Sequence, residues 1–269
     1  MKRAIGLALT ILSVTLSAQM QDSQQELALS PIFKFAPAAS SQEVYLRTGV
    51  EGTLTGTVRL VGDAPTRKRL DMSADPICPK INLVPILEDV VVTGGKLAHV
   101  FVYINGGGAV DRYEFGAPAS EVELHRTGCQ FAPRVLGLQV HQLLKVINDD
   151  PTTHNLRPTP RFNKEVNMAQ TPGSLPLALR FNWPETMIPI KCNMHPWKRA
   201  WVGVLWHPFF ATSDRDGSFK IEGLPPGDYE LVAWHERLGQ KTIQVSIGPN
   251  QSVTQEIIFF AEHKPRLEN

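Results

Sequence analysis

The sequence predicts an all-β protein built as two sandwiches, one inserted in or joined to the other. Three observations carry that prediction. Twenty-one prolines and twenty glycines divide the 269 residues into short apolar stretches, the punctuation of a strand-rich chain. Several stretches alternate apolar and polar residues with the period of a half-buried strand. No segment carries a convincing helical period beyond two or three turns, and no short repeat is visible. The length suffices for one large or two modest domains with a sizeable core. Acids and bases nearly cancel, 26 against 27, and are well mixed. The short basic run TRKR at 66–69 reads as a solvated strand end, so nothing argues for a nucleic-acid partner.

The elements follow in chain order. Met1, Lys2 and Arg3 give a positive start, and Ala4 to Ala18 is an apolar run closing on small residues. Residues 1–18 therefore read as a signal peptide cut after Ser17 or Ala18. The run is short for a bilayer span, no later segment is apolar enough to cross, and no cysteine lies near the cut to take a lipid. A periplasmic or secreted protein without a membrane span after cleavage is expected, with an uncleaved anchor as the alternative. Residues 19–48 read as a flexible polar lead-in. In VEGTLTGTVRLVG (50–62), Leu54, Val58 and Leu60 share one face, and Thr53, Thr55, Thr57 and Arg59 the other. KLAHVFVYING (96–106) is β-branched and aromatic throughout, fitting a strand covered on both sides. QLLKVIND (142–149), MIPIKC (187–192) and AWVGVLW (200–206) read the same way. From Asp214 a meander follows, with a turn at Asp216-Gly217, a strand over 218–221, a Pro-Pro-Gly turn at 225–227 and a strand over 229–234. TIQVSIG and SVTQEIIFF supply two more.

The pattern DGSFKIEGLPPGDYELVAWHE resembles the carboxypeptidase-regulatory-like, or carbohydrate-binding-like, seven-strand sandwich. The strand GTLTGTVRL with which that sandwich usually begins lies far upstream, at 52–60. One sandwich interrupted by an insertion reconciles the two: 49–74 opens it, 75–208 is inserted and 209–264 completes it. Tandem domains are the alternative. The resemblance implies a scaffold or adhesive module, with a glycan contact by the C-terminal sandwich.

The inserted region carries the chemistry. A type 1 copper site needs two neutral imidazoles and a thiolate in a near-trigonal plane, usually with a weak axial thioether. LLKVINDDPTTHNLR (143–157) places a His-Asn pair after a strand and a turn, and KCNMHPWK (191–198) places a cysteine three residues before a histidine. NDDPTTHN with CNMHPW resembles the cupredoxins, the late loop being closest to amicyanin-like members, over roughly residues 130–206. The pairing of both regions is similar to bacterial secreted proteins that join a plastocyanin-like domain to the regulatory-like sandwich.

The resemblance implies His154, Cys192 and His195 as the equatorial ligands of one copper ion. It implies that Asn155 ties the two ligand loops together and offers its amide to the thiolate, as outer partners do. Pro196 would stiffen the late loop and Trp197 cap the site, and the surface around both would be the docking patch. Lys198 departs from the pattern, standing where methionine is expected. It is expected to turn outward and leave three ligands, or to leave the axial place to the carbonyl of Thr153; Met194 and Met168 are the other axial candidates.

Three cysteines in an oxidising compartment leave one unpaired. Cys192 has a histidine at ligand spacing, so the expected disulfide is Cys78–Cys129, with two buried free thiols as the alternative. His207 and His235 flank the junction of the sandwiches and read as structural, and with Glu236 as a remote second metal candidate. His99 reads as a mid-strand core group, and His125 and His141 have no partner at ligand spacing. No nucleophile elbow, zincin motif or phosphate loop is present, so an enzyme is not expected. The sequence points to copper-dependent one-electron transfer with periplasmic redox proteins. The alternatives are a metal-free binding or structural module and a copper-delivery protein.

Overall fold

A computed structural model describes residues 42–261. The signal-peptide segment, the lead-in before residue 42 and the last eight residues lie outside the described residues. The chain opens with β1 (Glu43–Val44), β2 (Gly52–Val61), the short helical turn α1 (Cys78–Ile81), β3 (Val92–Thr93), β4 (Lys96–Leu97), β5 (Phe101–Gly107) and β6 (Tyr113–Glu114). A run of nine strands follows: β7 (Val122–Thr127), β8 (Gln130–Ala132), β9 (Val135–Gln139), β10 (Leu144–Asn148), β11 (His154–Pro158), β12 (Met168–Gln170), β13 (Leu177–Leu179), β14 (Glu185–Lys191) and β15 (Arg199–Leu205). β16 (Phe210–Thr212), β17 (Ser218–Leu224), β18 (Gly227–His235), β19 (Gly239–Ile247) and β20 (Ser252–Phe260) complete the chain.

Strand pairing sorts these into two sandwiches. β17, β2, β4 and β3 with β20 form one sheet of the frame, and β16, β5, β18 and β19 the other. The inserted sandwich sets β13-β10-β7-β8 against β12-β11-β14-β15-β9. β2 shows why alternation predicted it: Leu54, Val58 and Leu60 are buried while the threonines between them are half-buried. β2 also accepts β20 in parallel along its whole length, Thr53 opposite Ser252 through Val61 opposite Phe260. One frame sheet thus joins the start of the described chain to its end.

The expected insertion, 75–208, is too wide at its start. β3, β4 and β5 pair within the frame sheets, so the inserted strands run only from Val122 to Leu205. The physical reason is visible in β5. Val102 and Ile104 point into the frame core, whereas Phe101 and Tyr103 point the other way, onto Val135, Met187 and Leu205 of the inserted sandwich. A strand apolar on both faces is the signature of a central layer, and β5 is the layer at the seam. Gly137 and Gly203 let the sandwiches close there, since a Cβ at either would lie 2.4 Å from a phenylalanine ring. The stretch expected as one strand over 96–106 is also broken. His99 sits between β4 and β5 with φ +62°, so it is a bend residue rather than a mid-strand one. The end of the lead-in is likewise ordered, with β1 pairing in parallel with β6.

Candidate metal centre

The two ligand loops meet because their strands are neighbours. β11 and β14 pair antiparallel, Arg157 opposite Lys191, so the start of β11 and the end of β14 lie at the same end of the sheet. His154 is the first residue of β11, Cys192 follows β14 directly, and His195 sits in the turn that leads to β15. All three are buried, and their donor atoms lie within 4.8 Å of one another. His154 Nδ1 is 2.9 Å from His195 Nδ1, and Cys192 Sγ is 3.5 Å from His195 Nδ1.

The outer nitrogens are taken. His154 Nε2 donates to Asp150 Oδ2 at 2.8 Å, and His195 Nε2 donates to Asp75 Oδ2 at 3.0 Å. Burial opposes ionisation of Asp75, but the hydrogen bonds from His195, the Ile77 amide, Thr152 and the Cys78 amide prevail and hold its carboxyl at about 2. Asp150 is likewise held below the usual carboxylate range, burial being outweighed by His154, the Cys129 amide and the charge of Lys198. Ionised carboxylates only accept, so each imidazole carries its proton on Nε2. Two neutral rings would then direct their Nδ1 lone pairs at each other across 2.9 Å. That contact is repulsive unless a proton or a cation stands between them. Burial works against the Cys192 thiolate too, yet its contacts with His154 and His195 and the hydrogen bond from the Asn155 amide lower the thiol to about 5. Burial lowers His195 and its bonds to Cys192 and Asp75 more than offset this, so its pKa is raised. Two imidazole nitrogens and a thiolate with their outer partners in place are the donor set of a soft or borderline metal.

Asn155 makes both contacts expected of it. Its amide donates to Cys192 Sγ at 3.4 Å, and its Oδ1 accepts from the Asn193 amide at 3.1 Å. Cys78 and Cys129 are joined as a disulfide, which leaves Cys192 as the free thiol. Two further groupings, Asp75-Cys78-His195 and Cys129-Asp150-His154, lie as close together, but each contains a half-cystine whose sulfur is covalently occupied.

Lys198 does not turn outward. Only 2 % of it is exposed, its Nζ has no hydrogen-bond partner, and the ammonium lies 5.0 Å from the centre of the Phe131 ring. The reason is strand parity: Lys198 precedes β15 in the same register as the inward residues Ala200, Val202 and Val204. Burial pulls it down to about 7, against the pull of Cys192 and Asp150. Arg126 approaches the same ring, 5.8 Å away, with Nη1 on Gln170 Oε1 and with Nε and Nη2 unpartnered. Burial lowers it to about 10. Two cations therefore face the anions Asp75, Asp150 and Cys192.

The other candidates fall elsewhere. Met194 is 48 % exposed, so it neither packs inward nor reaches an axial place. Met168 packs against the inserted core, and Thr153 is half-buried just before β11. Pro196 is exposed. Trp197 is half-buried, its ring 5.0 Å from that of His195 and its Nε1 donating to the Cys129 carbonyl at 3.0 Å. His125 lies between Asp149 and Glu123, at 2.8 and 3.2 Å, partners its sequence spacing did not suggest. His207 and His235 are buried against Phe209 and Phe259 of the frame core, and Glu236 is paired with Arg134.

Asp75, Asp150, Arg126 and Phe131 were missed in the sequence. Asp150 had a local signal, four residues before His154 in the same turn. Arg126 had one as well, since it shares the inward face of β7 with Leu124. Asp75 had none.

No family model matches the chain, and no curated protein does. Solved structures resemble part of it. A copper-containing nitrite reductase from Thermus scotoductus SA-01 is 18 % identical over 32 % of this chain and 22 % of its own length, with TM-score 0.29. A purple cupredoxin from Nitrosopumilus maritimus is 21 % identical over 31 % of this chain and 99 % of that one, with TM-score 0.27. An oxidised amicyanin variant with a methionine replaced by lysine is 18 % identical over 38 % and 97 %, with TM-score 0.28. This chain thus spans about a fifth of the nitrite reductase.

Proposed function

We propose that the chain is a mononuclear copper protein that carries one electron at a time between periplasmic redox partners. The observation that carries the reading is the inward-facing triad: two Nδ1 atoms and one thiolate, buried, with both Nε2 protons fixed on carboxylates. A cation at that point removes the lone-pair repulsion and neutralises an otherwise anionic pocket. His154, Cys192 and His195 would hold it. Copper, when bound, supplies the redox step by alternating between its cuprous and cupric states.

The chain's own residues do the rest. Asp75 and Asp150 orient the imidazoles. The Asn155 amide stabilises the thiolate, and its side chain locks the two loops together. Burial of the triad keeps water from the sulfur. Lys198 is a buried amine whose pKa lies near neutrality, and its positive form would offset the charge of Cys192. All three donor residues are buried, which suits transfer of an electron to a metal that no substrate has to reach.

The test is a potentiometric titration of the copper-loaded protein followed by paramagnetic resonance of Cu(II). A single reversible one-electron transition is expected. Stoichiometric copper that cannot be cycled reversibly would instead support copper delivery, and failure to take up copper would support the metal-free module.

A further inference from the structure

We propose that the Cys78–Cys129 disulfide is a brace for the metal centre, fixing both histidine ligands through one covalent bond. Each half-cystine lends its own backbone amide to one of the two carboxylates. Asp75 Oδ1 accepts from the Cys78 amide at 3.2 Å and from the Ile77 amide at 2.7 Å, while its Oδ2 serves His195. Asp150 Oδ2 accepts from the Cys129 amide at 2.9 Å as well as from His154, and its Oδ1 accepts from the Gly128 amide at 2.7 Å. The path His154–Asp150–Cys129–Cys78–Asp75–His195 is therefore continuous, with a single bond at its middle. Thr152, in the turn that delivers His154, closes a second link by donating to Asp75 Oδ2 at 2.9 Å.

The brace is needed because regular structure does little for Asp75. Between β2 and β3 the chain has only the four-residue α1 and one isolated bridge, Arg69 to Ile86. Asp75 reaches a buried imidazole from that segment, and the disulfide is the covalent attachment of the segment to the inserted sandwich, beside the hydrogen bonds Thr152 to Asp75 and Asn82 to Gly128. The contact is apolar, with Met72, Cys78 and Cys129 buried and Leu70 and Trp197 packed against them. Asp150 has support of its own from the turn before β11, where its amide donates to Asn148 Oδ1. The dependence is consequently uneven: His195 relies on the disulfide more than His154 does. Outer partners of this kind fix the ring orientation and tautomer of ligating histidines and typically change metal affinity by about 10–100-fold.

The inference rests on the metal-centre reading, but the hydrogen bonds stand in the protein without a metal, so the two are separable. Full-length ¹⁵N-labelled protein, free of metal, is compared with the Cys78→Ser/Cys129→Ser variant by long-range ¹H–¹⁵N imidazole correlation, and Zn(II) affinity is measured by competition with a chelator. In the native protein both histidines are expected as Nε2–H tautomers with slowly exchanging protons. In the variant His195 loses that signature, His154 keeps a weakened one, His207 is unchanged, and Zn(II) binds about 10–100-fold more weakly. Unchanged tautomers, exchange and affinity overturn the brace. If the double variant does not fold, Cys78→Ala/Cys129→Val, which refills the apolar contact without a covalent bond, carries the test: it must weaken the His195 signature more than that of His154, and an unaffected His195 overturns the proposal. A native protein that shows both signatures yet takes up no metal counts for the brace and against the copper reading.

Discussion

Among the described residues two pairs of histidines are buried, and the molecule treats them in opposite ways. His207 packs on Phe115 and Phe209 and His235 on Phe259 of the frame core, and burial drives them to about 4 and, with the charges of Arg134 and Arg237 adding for His235, about 3. His235 accepts only an amide on Nδ1 and leaves Nε2 without a partner. His154 and His195 are as deeply buried, but each has an ionised carboxylate on its outer nitrogen. Burial alone makes a histidine a neutral packing group. Burial with an anion behind it makes one whose inner nitrogen is aimed and ready for a cation.

The comparison can be broken most sharply by exchanging roles. His154→Ala should cut copper affinity by more than the ~100-fold upper range for losing an outer partner. It should leave the chemical midpoint of the frame sandwich almost unmoved, as followed by Trp234 fluorescence. Replacement of His207 should do the reverse, and a copper loss equal to that of His154→Ala would contradict the distinction.

Acid should act on His207 next. His207 has an ordinary pKa near 6.5 unfolded and about 4 folded, so between those values the unfolded chain binds more protons. Its contribution is complete above about pH 6.5 and falls as pH drops toward 4, by about 3 kcal/mol. His195 runs the other way, since a raised pKa stabilises the fold at low pH and the contribution is lost as pH rises through the folded value. Urea midpoints from pH 7 to 4 in native protein and in a His207→Phe variant measure the difference. Parallel curves would remove His207 from the explanation.

Lys198→Met is the next effect in size. It removes an unpartnered buried ammonium and should stabilise the metal-free protein by about 2 kcal/mol, while strengthening Cu(II) binding by removing a cation. Destabilisation would mean that the charge of Lys198 is required to balance Asp75, Asp150 and Cys192. The smallest effect is expected from Asn155→Ala. It cuts the side-chain tie to Asn193 but keeps the amide on sulfur, and should cost about 1 kcal/mol in denaturant unfolding with a modest shift of the copper spectrum.

Much of this was legible in the sequence, in places where period and spacing decide. Leu54, Val58 and Leu60 announced β2, and the spacing of Cys192 and His195 announced half of a site. The inward place of Lys198 was legible too, because it continues the register of Ala200, Val202 and Val204. Against that register stands the chemistry of lysine, which is almost never fully buried unless paired. The assignment of β5 was not legible, since a strand apolar on both faces does not say which two layers it separates. Asp75 could not have been found, because it reaches His195 across 120 residues through a segment almost without regular structure.

The most direct test is one equivalent of Cu(II) added to the metal-free protein and to Cys192→Ala, with visible absorption recorded. An intense thiolate-to-copper charge-transfer band in the native protein, absent from the variant, is the predicted result. A native protein that stays colourless and binds no stoichiometric copper would contradict the copper centre at His154, Cys192 and His195.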